Sequence, residues 1–367
     1  MGPCIISMAG GVERISRRAA LGVIVGGLAA PAVARAETRW RWRMATSWPK
    51  GRAGPGVSAQ RIADRINAMS GGRLQIDVFG AGEIVPAFSV LDAVSNGTVE
   101  LGHTAALYWQ GKIPAAGFFT TVPFGLGPVE HQAWIELRDG QALWDELYRP
   151  FGVRAFMAGN TGPSMGGWFK RKLNGPEDLR GLRIRITGLG AELFRRLGAV
   201  PMAIAAGDIV PALETGSIDA VEFLAPSTDL ETGLPRHARH YYAPGFNKPN
   251  GPSECLVSLT SWERLPTDLK AIVAEACRAE HTLGLADAHE RNAASLTEIL
   301  GRYDVSLEAF PRSILEAARK ASNEMIAEIA ETSPLARRIV ASYTAAASEL
   351  RSWSTLTADM ARSIARA

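Results

Sequence analysis

The chain has 367 residues, 47% of them hydrophobic, with 40 Lys and Arg against 37 Asp and Glu and 3 cysteines. That much apolar material excludes a disordered chain and is enough for two domains with separate cores. The positive excess lies in the first 36 residues, which hold four arginines and one glutamate; the remainder carries 36 charges of each sign, which removes the electrostatic case for nucleic acid or an anionic membrane surface as a partner.

In chain order, Arg14, Arg17 and Arg18 precede an uncharged run over residues 19–33, and Ala34-Arg35-Ala36 follows it. A charged head, a short apolar stretch and a small-x-small cleavage site make residues 1–36 a secretory signal, with Glu37 as the first mature residue and the periplasm as destination. Ser16-Arg17-Arg18 fits a twin-arginine signal, with an ordinary Sec signal as the alternative. The apolar run is well short of the ~20 residues that span a bilayer, which argues against an uncleaved anchor. Cys4 falls in the signal; Cys255, in an apolar strand-like run, and Cys277, in a helical one, are expected to be buried free thiols.

Residues 40–46 read as a first strand, 56–69 as a helix with Val57, Ile62, Ile66 and Met69 near one face, and 74–78 as an alternating second strand set off by Gly71-Gly72. A helix over 85–95, closed by Asn96-Gly97, and a third strand over 99–107 complete a βαβαβ pattern. The fold class is α/β, with a largely parallel sheet whose ligands bind beyond the C-terminal strand ends. A helix over 130–147 leads to a strand over 153–158. The alternation then repeats: strands over 165–170 and 182–186, a helix over 191–197, an apolar run over 200–205, a helix over 208–214 and a strand over 218–223. After Pro266, residues 267–302, 312–331 and 335–366 read as long helices with no strand signal between them. In the last, Ile339, Tyr343, Leu350, Trp353, Leu356 and Met360 recur at three, four and seven spacing, for packing on the chain's own body or for a homodimer contact.

Several segments carry chemical signals. Gly162-Pro163-Ser164-Met165-Gly166 has the G-x-S-x-G form of a nucleophile elbow, which would make the protein an exported serine hydrolase or esterase using Ser164. The elbow requires a helix directly after the serine, whereas residues 166–170 read as extended chain. Gly188-Leu189-Gly190 has the first half of a dinucleotide fingerprint, but Leu193 stands where the third glycine belongs. Neither histidine spacing nor cysteine pairing suggests a metal centre. Arg185 is different: it ends a short strand beside the turn Thr187-Gly188-Leu189-Gly190, where backbone N–H groups open a helix and a guanidinium can hold a carboxylate by two parallel hydrogen bonds. On position alone Arg183 and Arg185 share one strand face and both can be solvated. Glu222, ending another apolar strand, can pair with an arginine, cap a helix or bind a cation.

Seven segments together resemble one family: MATSWPKGRAGPG (44–56), GHTAALYWQGKIPA (102–115), FFTTVPFG (118–125), GNTGPSMGGWF (159–169), LRGLRIRITGLG (179–190), LGAVP (197–201) and PALETGSIDAVEF (211–223). In this order they are similar to the solute-binding component of tripartite ATP-independent periplasmic (TRAP) transporters, in the branch that binds 2-oxo acids and related monocarboxylates with a metal ion. The resemblance implies a two-lobe periplasmic binding protein fold, with a first α/β lobe over 37–158, a second over 159–255, and a strand crossover and long helices over 256–367 bracing both. It implies delivery of a small organic acid to a membrane permease, without catalysis.

By the same resemblance Arg185 takes the ligand carboxylate, Tyr108 and Asn160 line the pocket, and Glu222 with the backbone carbonyl of Phe223 holds a cation, Na⁺ or Ca²⁺. Such hard cations take oxygen ligands. Phe223 stands where the family usually has tryptophan and alters the pocket wall. Ser164 stands where the branch has a glutamine that reaches the cation, so this protein departs from its relatives at a ligand and metal position. The P-G-W run of the family is here Pro244-Gly245-Phe246-Asn247. Glu254 matches a further family glutamate and is expected as a metal-site residue. Trp48, Tyr108, Trp109 and Phe223 are candidates for an apolar wall, with core packing the expected role of Trp109 and the alternative for the other three.

Overall fold

The structure, a computed structural model, describes residues 38–366 together with Gly2, so the export signal expected over 1–36 lies outside the described residues. The first lobe begins with β1 (Trp40–Thr46), α1 (Pro55–Met69), β2 (Leu74–Phe79), α2 (Val90–Ser95) and β3 (Leu101–Thr104). Alternation buries Trp42 and Met44 of β1, and the 3.6-residue period of α1 turns Ala59, Ile62, Ala63 and Ile66 onto the same core. β1 lies between β2 and β3, parallel to both, which is the βαβαβ arrangement the sequence predicts.

Residues 130–147 do not form one helix. They give α3 (Pro128–Leu137) and α4 (Gly140–Tyr148), separated where Arg138 takes an extended conformation. β4 (Val153–Asn160) then leaves for the second lobe, where β5 (Gly167–Phe169), β6 (Arg183–Arg185), α5 (Gly188–Arg196), β7 (Val200–Met202), α6 (Ile209–Glu214), β8 (Ala220–Val221), α7 (Pro226–Thr232) and β9 (His240–Ala243) follow. β10 (Pro252–Ser258) returns to the first lobe and pairs antiparallel with both β3 and β4. The segment 159–255 expected as the second lobe therefore ends inside a strand of the first. The remaining elements are α8 (Leu259–Arg264), α9 (Thr267–Arg302), β11 (Ser306–Ala309), α10 (Arg312–Ala330) and α11 (Pro334–Arg366).

The first sheet runs β2-β1-β3-β10-β4 and the second β11-β9-β5-β8-β6-β7. β11 corrects the expectation of no strand after Pro266: it pairs parallel with β9 as an edge strand, with Leu307 exposed. Its register is set by its partner, so its own four residues carry little signal.

The long helices tie the lobes together through the identity of their buried residues. α9, about 54 Å long, places Leu269, Val273, Ala276 and Cys277 in the core under the first sheet and Ile299 in a core of the second lobe. α10 does the same with Ile314 and Ala318 in the second lobe and Met325 and Ile329 in the first. α11 packs Ile339 and Tyr343 beside a stack in which Phe119 lies 5.3 Å from Trp134 and 5.0 Å from Trp144. The Tyr343 hydroxyl also accepts a 2.8 Å hydrogen bond from the Leu126 N–H. The far end of α11 leaves Trp353, Leu356, Met360 and Ile364 exposed. Cys255 and Cys277 are buried in one core cluster and unbridged.

Candidate functional site

β6 and β8 are parallel neighbours in the second sheet; Arg185 ends β6 opposite Val221, and Glu222 follows β8 directly, its N–H donating to the Arg185 carbonyl at 2.8 Å. Ligands of α/β sheets bind beyond such strand ends. The two arginines of β6 have separate fates. Arg183 is exposed and makes a fork to Asp219, Nε at 2.9 Å and Nη2 at 2.7 Å from the carboxylate oxygens. Arg185 is only 2% exposed. Its Nε donates to the Ile204 carbonyl at 3.0 Å, its Nη1 to the Glu222 carbonyl at 2.7 Å, and its guanidinium lies 5.2 Å from the centre of the Phe223 ring. These contacts fix the plane of the guanidinium and leave further N–H donors for a ligand.

Arg185, Thr187, Phe223 and Lys248 of the second lobe face Trp48, Leu107 and Tyr108 of the first across a cavity of about 30 Å³, floored by Gly251, Pro252 and Ser253 where the chain crosses back. Trp48, Pro55, Phe223 and Leu224 also line a larger neighbouring hollow of about 190 Å³, so the cavity belongs to an interlobe cleft. Trp48 and Tyr108 rings sit 6.2 Å apart. Burial pushes the Tyr108 phenol above its ordinary range, against the pull of the Arg185 charge, so it meets a ligand as a neutral hydroxyl. Gly188 opens α5 with φ +66°, and a Cβ there would lie 2.8 Å from Leu107 Cβ, so glycine is needed both for the turn and for the approach of the lobes.

The sequence reading missed Lys248. It is 5% exposed, its Nζ lies 2.5 Å from Glu222 Oε1, and the same Nζ donates to the Phe223 carbonyl. The donor pair that the resemblance assigns to a cation therefore holds an ammonium, and in this arrangement it does not accommodate a metal ion as well. Burial pulls the Lys248 ammonium below its usual range while the Glu222 carboxylate holds it up. The available signal was a lone lysine in the apolar and turn-forming run Pro244-Gly245-Phe246-Asn247-Lys248-Pro249-Asn250-Gly251-Pro252.

Other expected site residues lie elsewhere. Asn160 ends β4 and its side chain bridges the crossover, donating to Asn250 Oδ1 at 3.0 Å and accepting from the Gly162 N–H at 2.8 Å; it holds the floor and does not line the Arg185 cavity. Ser164 is buried in the loop between β4 and β5. Its N–H donates to the Lys248 carbonyl at 3.3 Å, while its Oγ has no hydrogen-bond partner. With no base on that hydroxyl and a strand, not a helix, following it, Ser164 is not a nucleophile; its backbone packs on the turn that carries Lys248.

Glu254 is corrected as a metal-site residue. It points into the first-lobe core, where Oε1 accepts from Trp109 Nε1 at 2.7 Å and Oε2 from the Tyr148 hydroxyl at 3.1 Å, and burial raises its carboxyl to about 8. Trp109 is thereby a core residue, whereas Trp48, Tyr108 and Phe223 line the cleft. Among the described residues no cluster of three or more His, Cys, Asp or Glu side chains could hold a metal.

Two α/β lobes, a buried arginine at their seam and crossing strands beneath it define a periplasmic-type solute-binding protein. The family model for bacterial extracellular solute-binding proteins, family 7 (DctP), matches residues 48–333, and the chain belongs to that family, which serves transport and is not an enzyme class. A monocarboxylate 2-oxoacid-binding periplasmic protein of Nostoc sp. is 38% identical over 313 residues, 85% of either chain. Among solved structures, a TRAP transporter solute-binding protein of Bordetella bronchiseptica with calcium and picolinate bound is 34% identical, with a TM-score of 0.86, over 90% of this chain and 99% of that one. One of Pseudoalteromonas atlantica with sodium and pyruvate bound is also 34% identical, with a TM-score of 0.85, over 89% and 98%. The two-lobe fold and the solute-binding role inferred from the sequence both stand. Among the described residues no helix is long and apolar enough to cross a membrane.

Proposed function

We propose that this chain captures a small monocarboxylate, a 2-oxo acid such as pyruvate or a close analogue, in the cleft between its lobes and delivers it to the membrane permease of a TRAP transporter. The observation that carries this reading is Arg185: a guanidinium almost fully withdrawn from water, oriented by two backbone carbonyls and lining a cavity walled by Trp48, Leu107, Tyr108 and Phe223. A buried guanidinium is costly without an anionic partner. A carboxylate on its open edge provides one by charge-assisted hydrogen bonds. The Tyr108 hydroxyl adds a donor, and the aromatic walls accept a short acyl group. The monocarboxylate ligand of the Nostoc relative and the pyruvate of the Pseudoalteromonas one support the same class.

Capture and release follow from opening and closing of the lobes about β4, β10 and α9. In the closed arrangement Glu231 of α7 accepts from the Ala53 N–H of the first lobe at 2.7 Å, a latch that opening must break. Export by the signal over residues 1–36 supplies the compartment. The exposed Trp353, Leu356, Met360 and Ile364 suit a homodimer contact through α11, which sedimentation of the wild type against Trp353→Glu tests.

A thermal-shift panel of organic acids tests the ligand class, since a ligand that binds only the folded chain raises its melting temperature by mass action. The 2-oxo acids are expected to give the largest rise, and Arg185→Ala to abolish it; a rise with neutral sugars or amines in place of acids would sink the reading.

A further inference from the structure

Resting on that reading, we propose that Lys248 is a built-in cation: its ammonium occupies the place the resemblance assigns to Na⁺ or Ca²⁺, so this protein binds its acid without a metal and offers Nζ to the ligand's second oxygen.

The geometry is specific. Glu222 and the Phe223 carbonyl are the donors expected around a cation, and both face Lys248 Nζ, at 2.5 Å from Oε1 in the first case. Glu222 is 1% exposed and Lys248 5%, so the pair is sealed from water. An ammonium has three donors: one goes to the Phe223 carbonyl, the Glu222 contact is an ion pair without hydrogen-bond geometry, and the donors left over are available to the cavity that Lys248 lines with Arg185 and Tyr108. The lysine is delivered by the turn over residues 245–248, closed by its own N–H on the Gly245 carbonyl at 3.0 Å.

That turn is pressed against Ser164. The Gly245 N–H donates to the Ser164 carbonyl at 3.0 Å, and a Cβ on Gly245 would lie 2.3 Å from the same oxygen. Two differences thus meet at this loop: a serine stands where the resembling family has a cation-binding glutamine, and the turn whose N–H bonds to that serine's carbonyl brings in a charged side chain.

The charges already present oppose a metal. Arg185 and Lys248 stand against Glu222 and the buried Asp229, whose carboxyl is raised to about 6, and a metal ion added at Glu222 would sit against an ammonium. The second ligand oxygen needs only to accept a hydrogen bond, so a keto or a hydroxyl oxygen at the carbon next to the carboxylate is acceptable. The ligand class widens from 2-oxo acids to 2-hydroxy acids such as lactate.

Two arms test this. In the first, pyruvate is titrated calorimetrically into wild-type protein in sodium-free buffer with chelator, and again with calcium or sodium in excess. Equal affinity is expected; a requirement for either ion overturns the proposal. In the second, calcium is titrated with no acid present into the wild type and into Lys248→Met. The wild type should not bind it, whereas the variant, with Glu222 and the Phe223 carbonyl released, should bind and be stabilised. Calcium binding by the wild type overturns the proposal. In chelator Lys248→Met should also lose about thirty-fold or more in pyruvate affinity, and unchanged affinity there counts against it. Wild type that takes no 2-oxo acid under any ionic condition sinks the functional reading, while the calcium arm still decides the role of Lys248. The wild-type arms do not depend on the variant folding.

Discussion

Replacing Glu254 by glutamine should remove a pH dependence of stability that the wild type owes to one buried carboxyl. Glu254 is 1% exposed and its oxygens accept from Trp109 Nε1 and the Tyr148 hydroxyl, with no cation beside them. Burial therefore raises the carboxyl from 4.5 to about 8. Between those values the folded chain keeps a proton that the unfolded chain has released, so the contribution is fully present below about 4.5 and is lost as pH rises to about 8. At about 1.4 kcal/mol per pH unit the whole window amounts to about 5 kcal/mol at most. Glutamine is neutral throughout, keeps an acceptor for Trp109 and has nearly the same shape. Urea melts at pH 5 and pH 8 provide the assay. The two proteins should be nearly equal at pH 5, and Glu254→Gln should be the more stable at pH 8 by up to that amount. A wild type whose stability is flat between pH 6.5 and 8, or a variant with the same slope, would refute the reasoning.

Three further outcomes follow from the same kind of reading. His103, His131 and His281 are buried and held down to about 4, bonded to the carbonyls of Ala158, Phe118 and Gly159. The unfolded chain takes up their protons first as pH falls, so the stability they contribute is lost from about 6.5 down to about 4, and His281→Gln should reduce the proton uptake on acid unfolding by one. Tyr343→Phe leaves the Leu126 N–H without its partner and should cost about 1–3 kcal/mol in a urea melt, with no change in ligand affinity. Gly245→Ala forces a Cβ onto the Ser164 and Met165 carbonyls; it should destabilise by about 1–3 kcal/mol and weaken ligand binding by displacing Lys248, whereas a variant of wild-type stability would show that the turn is not pressed against that loop.

What the sequence revealed of this site depended on whether a residue's role is local. Arg185 and Glu222 end apolar strands, and a strand end in an α/β chain is already a position, so both were legible. The long helices were equally plain, since residues 267–302 and 312–331 carry no proline and no strand signal. The break between α3 and α4 had a signal in Asp139-Gly140, a turn-forming pair inside the span read as one helix.

Lys248 had none of these. It lies on a turn 26 residues beyond Glu222, and only the folding of that turn against Ser164 brings the two together. Ser164 shows the same limit from the other side: its G-x-S-x-G surroundings and its departure from the resembling family were visible, but not that its carbonyl accepts from the turn that carries Lys248. Glu254 was assigned to the cleft by correspondence of sequence, and the pairing of β10 between β3 and β4 turns it into the first-lobe core instead.

The central claim is that the Arg185 fork holds a carboxylate in the interlobe cleft, and Arg185→Lys tests it most directly because it keeps the charge and removes the planar pair of donors. Pyruvate titrated calorimetrically into wild type should show one site per chain, and into Arg185→Lys an affinity lower by about thirty-fold or more. Wild-type affinity in Arg185→Lys, or a wild type that does not bind the acid, would contradict the account.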